Sequence, residues 1–396
     1  MGEFRVIIIG GGLTGACLAN GLLNHADVPI RVTVFERDPP GSGFDACLTK
    51  DQLGALMPIF GRSGGSLSSA PTIFDSKMNL LMELSKLPEW SKSAPISRAR
   101  LRDFLQAPLR EKKVIVFGKS FTKFEVLDPN EPHSVIRVHL NDGSSQDCDV
   151  LVAADGYTGK CSLPWSTMQK LPRPLIEKGT VMCSSDSMIF FSAAYLPDNL
   201  DKTQVSGHPT KPDDYDESQA SLMADLAWPR GKTDQKVEDG AEKKKGMMDK
   251  MSEADWHPDF LKIVDAIDPK TLYIPQQPVA NDTPVDCRKK LLADENKGKT
   301  PELGNPRVWL MGDAIHPMFP SRGMGANQAL HDTEDALYPL LELARKAAGN
   351  VPVENEDVVR GLAKYEEKMI PRSFEWVKKS SDARKAIPIK PLPKGI

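Results

Sequence analysis

The chain contains no apolar run of the roughly 18 residues that a membrane-spanning helix needs, and Met1 leads straight into the short apolar stretch Val6–Ile9 with no basic leader. No secretory signal or membrane span is expected. Gly2 follows Met1, but Val6 stands where a myristoylation motif wants Ser or Thr, so no lipid anchor is expected either. The charge excess is slight: 51 basic against 54 acidic residues give a formal net charge of -3, too little to attract nucleic acid or an anionic membrane. The six cysteines (Cys17, Cys47, Cys148, Cys161, Cys183, Cys287) form no C-x-x-C pair, and the seven histidines show neither i, i+4 pairing nor cysteine partners at zinc spacing, so metal chemistry has little support. No G-x-S-x-G elbow is present, which removes the common hydrolase reading. No internal repeat or low-complexity tract is present. These absences lead to the expectation of a cytoplasmic protein with reduced thiols and no obligate protein partner.

At 396 residues the chain is long enough for two interlocked domains. Its start reads as strand Val6–Ile9, glycine turn Gly10–Gly15, a helix to about Asn24, and strand Val32–Phe35. A helix is expected near Asp51–Phe60, a loop over Gly61–Ser69 and a helix over Arg98–Arg110. Three β-like runs follow, Val114–Val126, Val135–Leu140 and Val150–Ala154, with Asn141-Asp142-Gly143 supplying a hairpin turn. In the middle of the chain the composition shifts to short strands, Met188–Tyr195 and Leu222–Trp228, between polar loops, with a helix near Phe260–Ile267. A strand at Val308–Met311 and helical spacing over Ala326–Ala347 and Val358–Val377 complete the pattern. The fold class expected is α/β (α+β overall), with a Rossmann-type domain formed by 1–70, 96–165 and 285–350. A β-sheet substrate domain (71–95 and 166–284) is interleaved with it, and a C-terminal helical segment (351–396) follows.

Gly10-Gly11-Gly12-Leu13-Thr14-Gly15 satisfies G-x-G-x-x-G after an apolar strand and at a helix start, where the dinucleotide mechanism needs it. Gly10 permits the tight turn, Gly12 lets backbone approach a pyrophosphate, and Gly15 lets helix pack on strand. Glu36, 21 residues after Gly15 and ending the second strand, suits a ribose diol, and Arg37 stands beside it. The motif alone does not separate FAD from NAD. Asp155-Gly156 ends a buried-strand pattern, which is either a ligand-facing strand end or a plain turn. Gly312-Asp313 repeats that logic, with Asp313 able to accept from a polyol. The run from Pro320 to Asn327 is another glycine loop opening a helix, whose amides suit an electron-rich ring.

Four motifs in this order, the glycine loop with Glu36, Arg98-Ala99-Arg100-Leu101, Ala154-Asp155-Gly156, and Gly312-Asp313 through Asn327, resemble those of the class A flavoprotein monooxygenases, the para-hydroxybenzoate and salicylate hydroxylase family. The resemblance spans nearly the full length. It implies that FAD is the cofactor and NAD(P)H a transient co-substrate, and that O2 is used to hydroxylate a small, electron-rich, aromatic substrate through a flavin C4a-hydroperoxide. By position, it assigns Gly10, Gly12, Leu13, Thr14, Gly15, Glu36 and Arg37 to the ADP half of FAD. Arg98 falls by the ribityl and phosphate region, Asp155 and Gly156 at the FAD and NAD(P)H motif, and Gly312 and Asp313 at the ribityl chain. Pro320, Gly323, Met324, Gly325, Ala326 and Asn327 fall around the reactive ring, and Arg98, Pro320 and Gly323 make up its catalytic environment with no assigned acid or base.

The sequence departs from the pattern at Gly159 and Ser162, where the family carries serine and then arginine, and at Arg322, which reaches either a substrate anion or a surface carboxylate. His316 resembles the family's loop-supporting histidine rather than a base. Trp256-His257-Pro258 reads as a helix-initiating turn, Phe190, Phe191 and Tyr195 as sheet core with a pocket face as the alternative, and Glu242–Lys245 as a solvated loop. The six tryptophans form no W-x-W pair, which disfavours a halogenase. Other readings are Baeyer-Villiger, epoxidation or dehydrogenation chemistry on the same fold, and a flavin-binding scaffold without turnover.

Overall fold

Strand β1 (Phe4–Ile9) is buried at every position except Arg5, as a strand covered on both faces requires, and it runs at the middle of a parallel sheet. The computed structural model describes residues 2–40, 46–49, 72–83, 86, 93–96, 98–155, 180–185, 188–195, 221–227, 239–267, 269, 288, 302, 304–319 and 323–386. These fall into two compact units, Met1–Ser42 with Arg100–Tyr157 and Pro278–Arg384, and Gly43–Ala99 with Thr158–Gln277 and Lys385–Ile396. The expected helix near Asp51–Phe60, the loop Gly61–Ser69, Gly156, Pro320 and Arg322 lie outside the described residues.

In the first unit, β1 is followed by helix α1 (Leu13–His25) and β2 (Ile30–Glu36). The five-stranded sheet has the order β15 (Val308–Leu310), β11 (Val150–Ala153), β1, β2, β7 (Ile115–Phe117), with every pair parallel. The run expected over Val114–Val126 is two strands, because Gly118 at φ 73 breaks it. Its second half, β8 (Phe121–Leu127), pairs with β9 (Val135–Leu140) and β10 (Ser145–Cys148) in a separate antiparallel sheet. Gly143 at φ 82 supplies the β9–β10 turn. Ile136, Val138 and Leu140 of β9 pack against Ile7, Ile9, Phe35 and Leu151 of the parallel sheet, closing one core.

Helix α5 (Gly325–Ala348) packs along α1, with Leu337 against Gly21. Helix α6 (Asn355–Ala386) buries Leu362, Tyr365 and Met369. Tyr365 stacks on Trp309 at 5.5 Å between ring centroids and donates to the Leu310 carbonyl at 2.7 Å, fixing α6 to β15. Beneath them the buried Arg307 donates to Ser134, Asn355, and the carbonyls of Asp149 and Val353, which satisfies a charge that would otherwise oppose folding.

The second unit holds a mixed sheet of order β14 (Ser221–Ala227), β13 (Met188–Tyr195), β12 (Thr180–Ser185), β4 (Thr72–Asp75), β5 (Leu80–Glu83), and a two-stranded pair of β3 (Ala46–Thr49) with β6 (Ser93–Ile96). Glu242–Lys245, expected in a loop, lies in α3 (Gly240–Glu253). The reason is local: Asp239 caps the helix by accepting from the Glu242 amide at 2.9 Å, with Glu242 at the third helical position. His257 caps α4 (Pro258–Ala266), its Nδ1 accepting from the Asp259 amide, as a helix-initiating turn requires. Phe190 is fully buried edge-to-face with Trp256 and Phe260, a core position. No helix of the described residues is long and apolar enough to cross a membrane.

Candidate functional site

Parallel strands bring their carboxyl ends to one edge of the sheet, and four of the sequence motifs leave from it: Gly10 after β1, Glu36 at the end of β2, Asp155 beyond β11, and Gly312-Asp313 after β15. Backbone hydrogen bonds hold these exits together, Gly10 N–H to Phe35 carbonyl at 2.8 Å, Ala154 N–H to Ile9 carbonyl at 2.8 Å, and Met311 N–H to Ala153 carbonyl at 3.0 Å. Such an edge is where ligands of open α/β sheets bind.

Each glycine of the loop has a separate physical reason. Gly10 sits at φ 99, and a Cβ there would lie 2.4 Å from the Ala154 carbonyl oxygen. A Cβ on Gly15 would lie 1.9 Å from the Gly10 carbonyl oxygen, so helix and loop meet at van der Waals contact only without one. Gly12 differs: among the described residues a Cβ there meets nothing within 4 Å, so its backbone borders open space. Gly12 precedes α1 without a side-chain cap, and no acidic residue occupies the first turn, which leaves the helix amides and dipole available to an anion. Leu13 is buried, so it offers that space only backbone, and Thr14 Oγ1 lies against Gly312.

Glu36 accepts from the Gly11 amide at 2.7 Å and the Asp38 amide at 2.8 Å. Arg37 is largely exposed and pairs with Asp38 at 3.1 Å, which raises its already high pKa. Asp155 and Asp313 are both exposed, Asp313 in a short 3-10 turn (Gly312–Ala314). Gly312 adopts φ 57, and its amide donates to the buried Asp332 at 2.8 Å. On the other side of the turn, Gly323 at φ 63 and Met324 lead into α5, again with no side-chain cap and no acid in the first turn. Asn327 is buried, and its Nδ2 donates to the Gly323 carbonyl at 2.9 Å, so its side chain closes the loop, while Ala326 is half-buried. Asp313 lies near this helix start, its Oδ1 4.0 Å from the position a Gly325 Cβ would take. Arg98 opens helix α2 (Arg98–Glu111).

The site contains groups that motif reading passed over. Gln106 of α2, 1% exposed, donates Nε2 to the Gly11 carbonyl at 2.6 Å. One turn earlier, Arg102 holds its guanidinium largely buried, its Nη2 3.9 Å from Asp103 and neither Nε nor Nη2 hydrogen-bonded among the described residues. Burial pulls its pKa down, opposed by Asp103, Glu36 and Asp38. The signal was the spacing 102, 106, one helical turn, which puts both on one helix face. Buried donors without partners at a loop bordered by open space are what an anionic dinucleotide would satisfy, so the residues fit such a ligand. His316 is fully buried with Nε2 2.6 Å from Asp332 Oδ2, a loop support remote from solvent.

The arrangement is a sheet edge whose loop and helix start fit a dinucleotide. A model of the FAD binding domain matches residues 273–354, and one of the FAD-NAD(P)-binding domain matches residues 7–158. A dual O-methyltransferase/FAD-dependent monooxygenase of Phaeosphaeria nodorum is 22% identical over 473 residues, covering 96% of this chain and 46% of that protein. The chain thus spans about half the length of that relative. A protein of Arthroderma benhamiae named "Probable FAD-dependent monooxygenase" is 23% identical over 417 residues, covering 96% of this chain and 90% of its own. Among solved structures, Klebsiella pneumoniae HpxO complexed with FAD and uric acid superposes with a TM-score of 0.64 at 18% identity, over 96% of this chain and 88% of that one. FqzB superposes with a TM-score of 0.67 at 16% identity, over 97% and 84%. Over nearly its whole length the chain is similar to FAD-dependent monooxygenases, and with FAD-binding models matching both ends of the first unit, FAD is its cofactor.

Proposed function

We propose that this protein uses NAD(P)H and O2 to insert one oxygen atom into a small, electron-rich aromatic molecule, releasing the other as water. NAD(P)H supplies two electrons and, with one proton, balances the hydroxylated product against water. Bound FAD would accept hydride and activate oxygen; the protein's part is to bind, orient and exclude water. One observation carries the reading: the uncapped starts of α1 and α5 and the exposed Asp313 leave the same sheet edge. In this reading the α1 amides and Gly12 meet the pyrophosphate, and Glu36 takes the ribose diol while bracing Gly11. Asp313 accepts from the ribityl hydroxyls, and the amides after Gly323 stabilise negative charge on the ring. Arg37 belongs to the ADP half of the cofactor and Asp155 to the motif shared by FAD and NAD(P)H. HpxO, crystallised with FAD and uric acid, supports an electron-rich ring as substrate class.

Anaerobic mixing of the purified yellow protein with NADPH and with NADH, alone and with phenols, indoles or polyketide-like aromatics, tests this. Flavin bleaching accelerated by one aromatic class, followed by oxygenated product on admitting air, is expected. Bleaching that no aromatic accelerates, with no product in air, refutes it.

A further inference from the structure

We propose that Arg372, on the last helix, is a positioning residue for the turn that presents Asp313, acting through the buried carboxylate of Asp332. The proposal rests on the reading of Asp313 as the ribityl contact.

Asp332 has no exposure, and a carboxylate so buried needs a partner on each oxygen. Oδ2 accepts from the Gly312 amide at 2.8 Å and meets Nε2 of His316 at 2.6 Å. Oδ1 accepts from Nη2 of Arg372 at 2.9 Å. The same nitrogen donates to Asp335 at 2.8 Å, and Nη1 donates to the carbonyl and side-chain oxygens of Gln328 at 3.2 and 2.7 Å. Arg372 therefore ties α6 to two turns of α5, and through Asp332 to the amide of Gly312.

That amide sets the turn. With Gly312 at φ 57 its N–H points inward to Asp332, while the next residue, Asp313, is exposed. His316 cannot hold Asp332 in place independently, because its Nδ1 is buried with no hydrogen-bond partner among the described residues. The cation of the network is Arg372, whose pKa burial lowers but whose bonds to Asp332 and Asp335 raise by more. Without it, Asp332 and Asp335 are left as neighbouring carboxylates with no counter-charge among the described residues, and the Asp332 side chain turns or shifts toward another partner. Either change slackens the Gly312 amide and moves Asp313.

A double-mutant cycle reads this, with FAD dissociation constants measured on apoprotein for Arg372→Met, Asp313→Ala and both together. Asp313→Ala should weaken FAD ten- to a hundredfold, Arg372→Met about tenfold, and the pair no more than Asp313→Ala alone, because a displaced carboxylate has little left to lose. Arg372→Lys keeps the charge without the planar fork; it should fold, lose less affinity, and shift the visible circular dichroism of bound flavin in the same sense as Asp313→Ala. If Arg372→Met does not fold, the cycle is run with Arg372→Lys. Multiplied losses in the pair, or wild-type affinity and dichroism in the Arg372 variants, overturn the proposal. Wild-type affinity in Asp313→Ala overturns the ribityl reading and this proposal with it, a result distinct from multiplied losses.

Discussion

The side-chain nitrogen of Gln106 lies 2.6 Å from the carbonyl oxygen of Gly11, so a helix that begins at Arg98 holds the glycine loop from behind while Glu36 holds the same residue by its amide. Both polar groups of Gly11's peptide neighbourhood are thereby fixed before any ligand arrives. Preorganisation of this kind lowers the ordering cost of binding. Gln106→Leu should leave a buried carbonyl unpaired, costing about 1–3 kcal/mol of apoprotein stability, and should weaken FAD severalfold. Urea denaturation and FAD titration check the two effects, and unchanged values in both would show that the contact is dispensable.

The glycines of the loop should separate by what they touch. Gly12→Val places its side chain in open space, so the apoprotein should melt as wild type while FAD binding is lost. Gly15→Ala forces a methyl to 1.9 Å from the Gly10 carbonyl oxygen, so the apoprotein itself should be destabilised. Melting curves with and without FAD distinguish these patterns; a Gly12→Val protein with wild-type FAD affinity would remove the pyrophosphate from this loop.

Asp313 is exposed in its turn, so Asp313→Ala removes little from the folded apoprotein. A charge-assisted hydrogen bond to a ligand hydroxyl is worth roughly 1.5–3 kcal/mol, which is about ten- to a hundredfold in affinity. The expected result is weaker FAD binding with an unchanged apoprotein melting temperature. A lowered melting temperature with intact affinity would make Asp313 part of the scaffold.

Asp357 near the start of α6 gives a pH dependence. Burial works against its charge, but Lys346, the Glu354 amide and Arg360 outweigh it and hold its pKa below the ordinary 3.8. A carboxyl whose folded pKa is depressed contributes stability that is complete above its unfolded pKa and is lost as pH falls through the folded one. The melting-temperature gap between wild type and Asp357→Asn should therefore be constant from neutral pH to about pH 5, and should close below the ordinary carboxyl pKa of 3.8. A gap that persists unchanged to the acid limit would mean that shape, not charge, holds the helix start.

The opening strand, loop and helix were legible in the sequence because β1, the glycine loop and α1 are specified by neighbouring residues: an apolar run, glycines at fixed offsets, and helical spacing. The α/β class followed from the same local patterns, and the likeness to FAD-dependent monooxygenases from four motifs that resemble that family's in their order. Glu242–Lys245 was misread because charge suggested a loop, whereas the cap at Asp239 decided for helix. Tertiary structure alone decided what joins residues far apart in the chain. Arg372 and Asp332 are 40 positions apart, Gln106 and Gly11 are 95, and no periodicity links either pair. Their partners are chosen by which helix faces a buried, otherwise unpaired polar group, and that choice exists only once the core has closed and water has been removed.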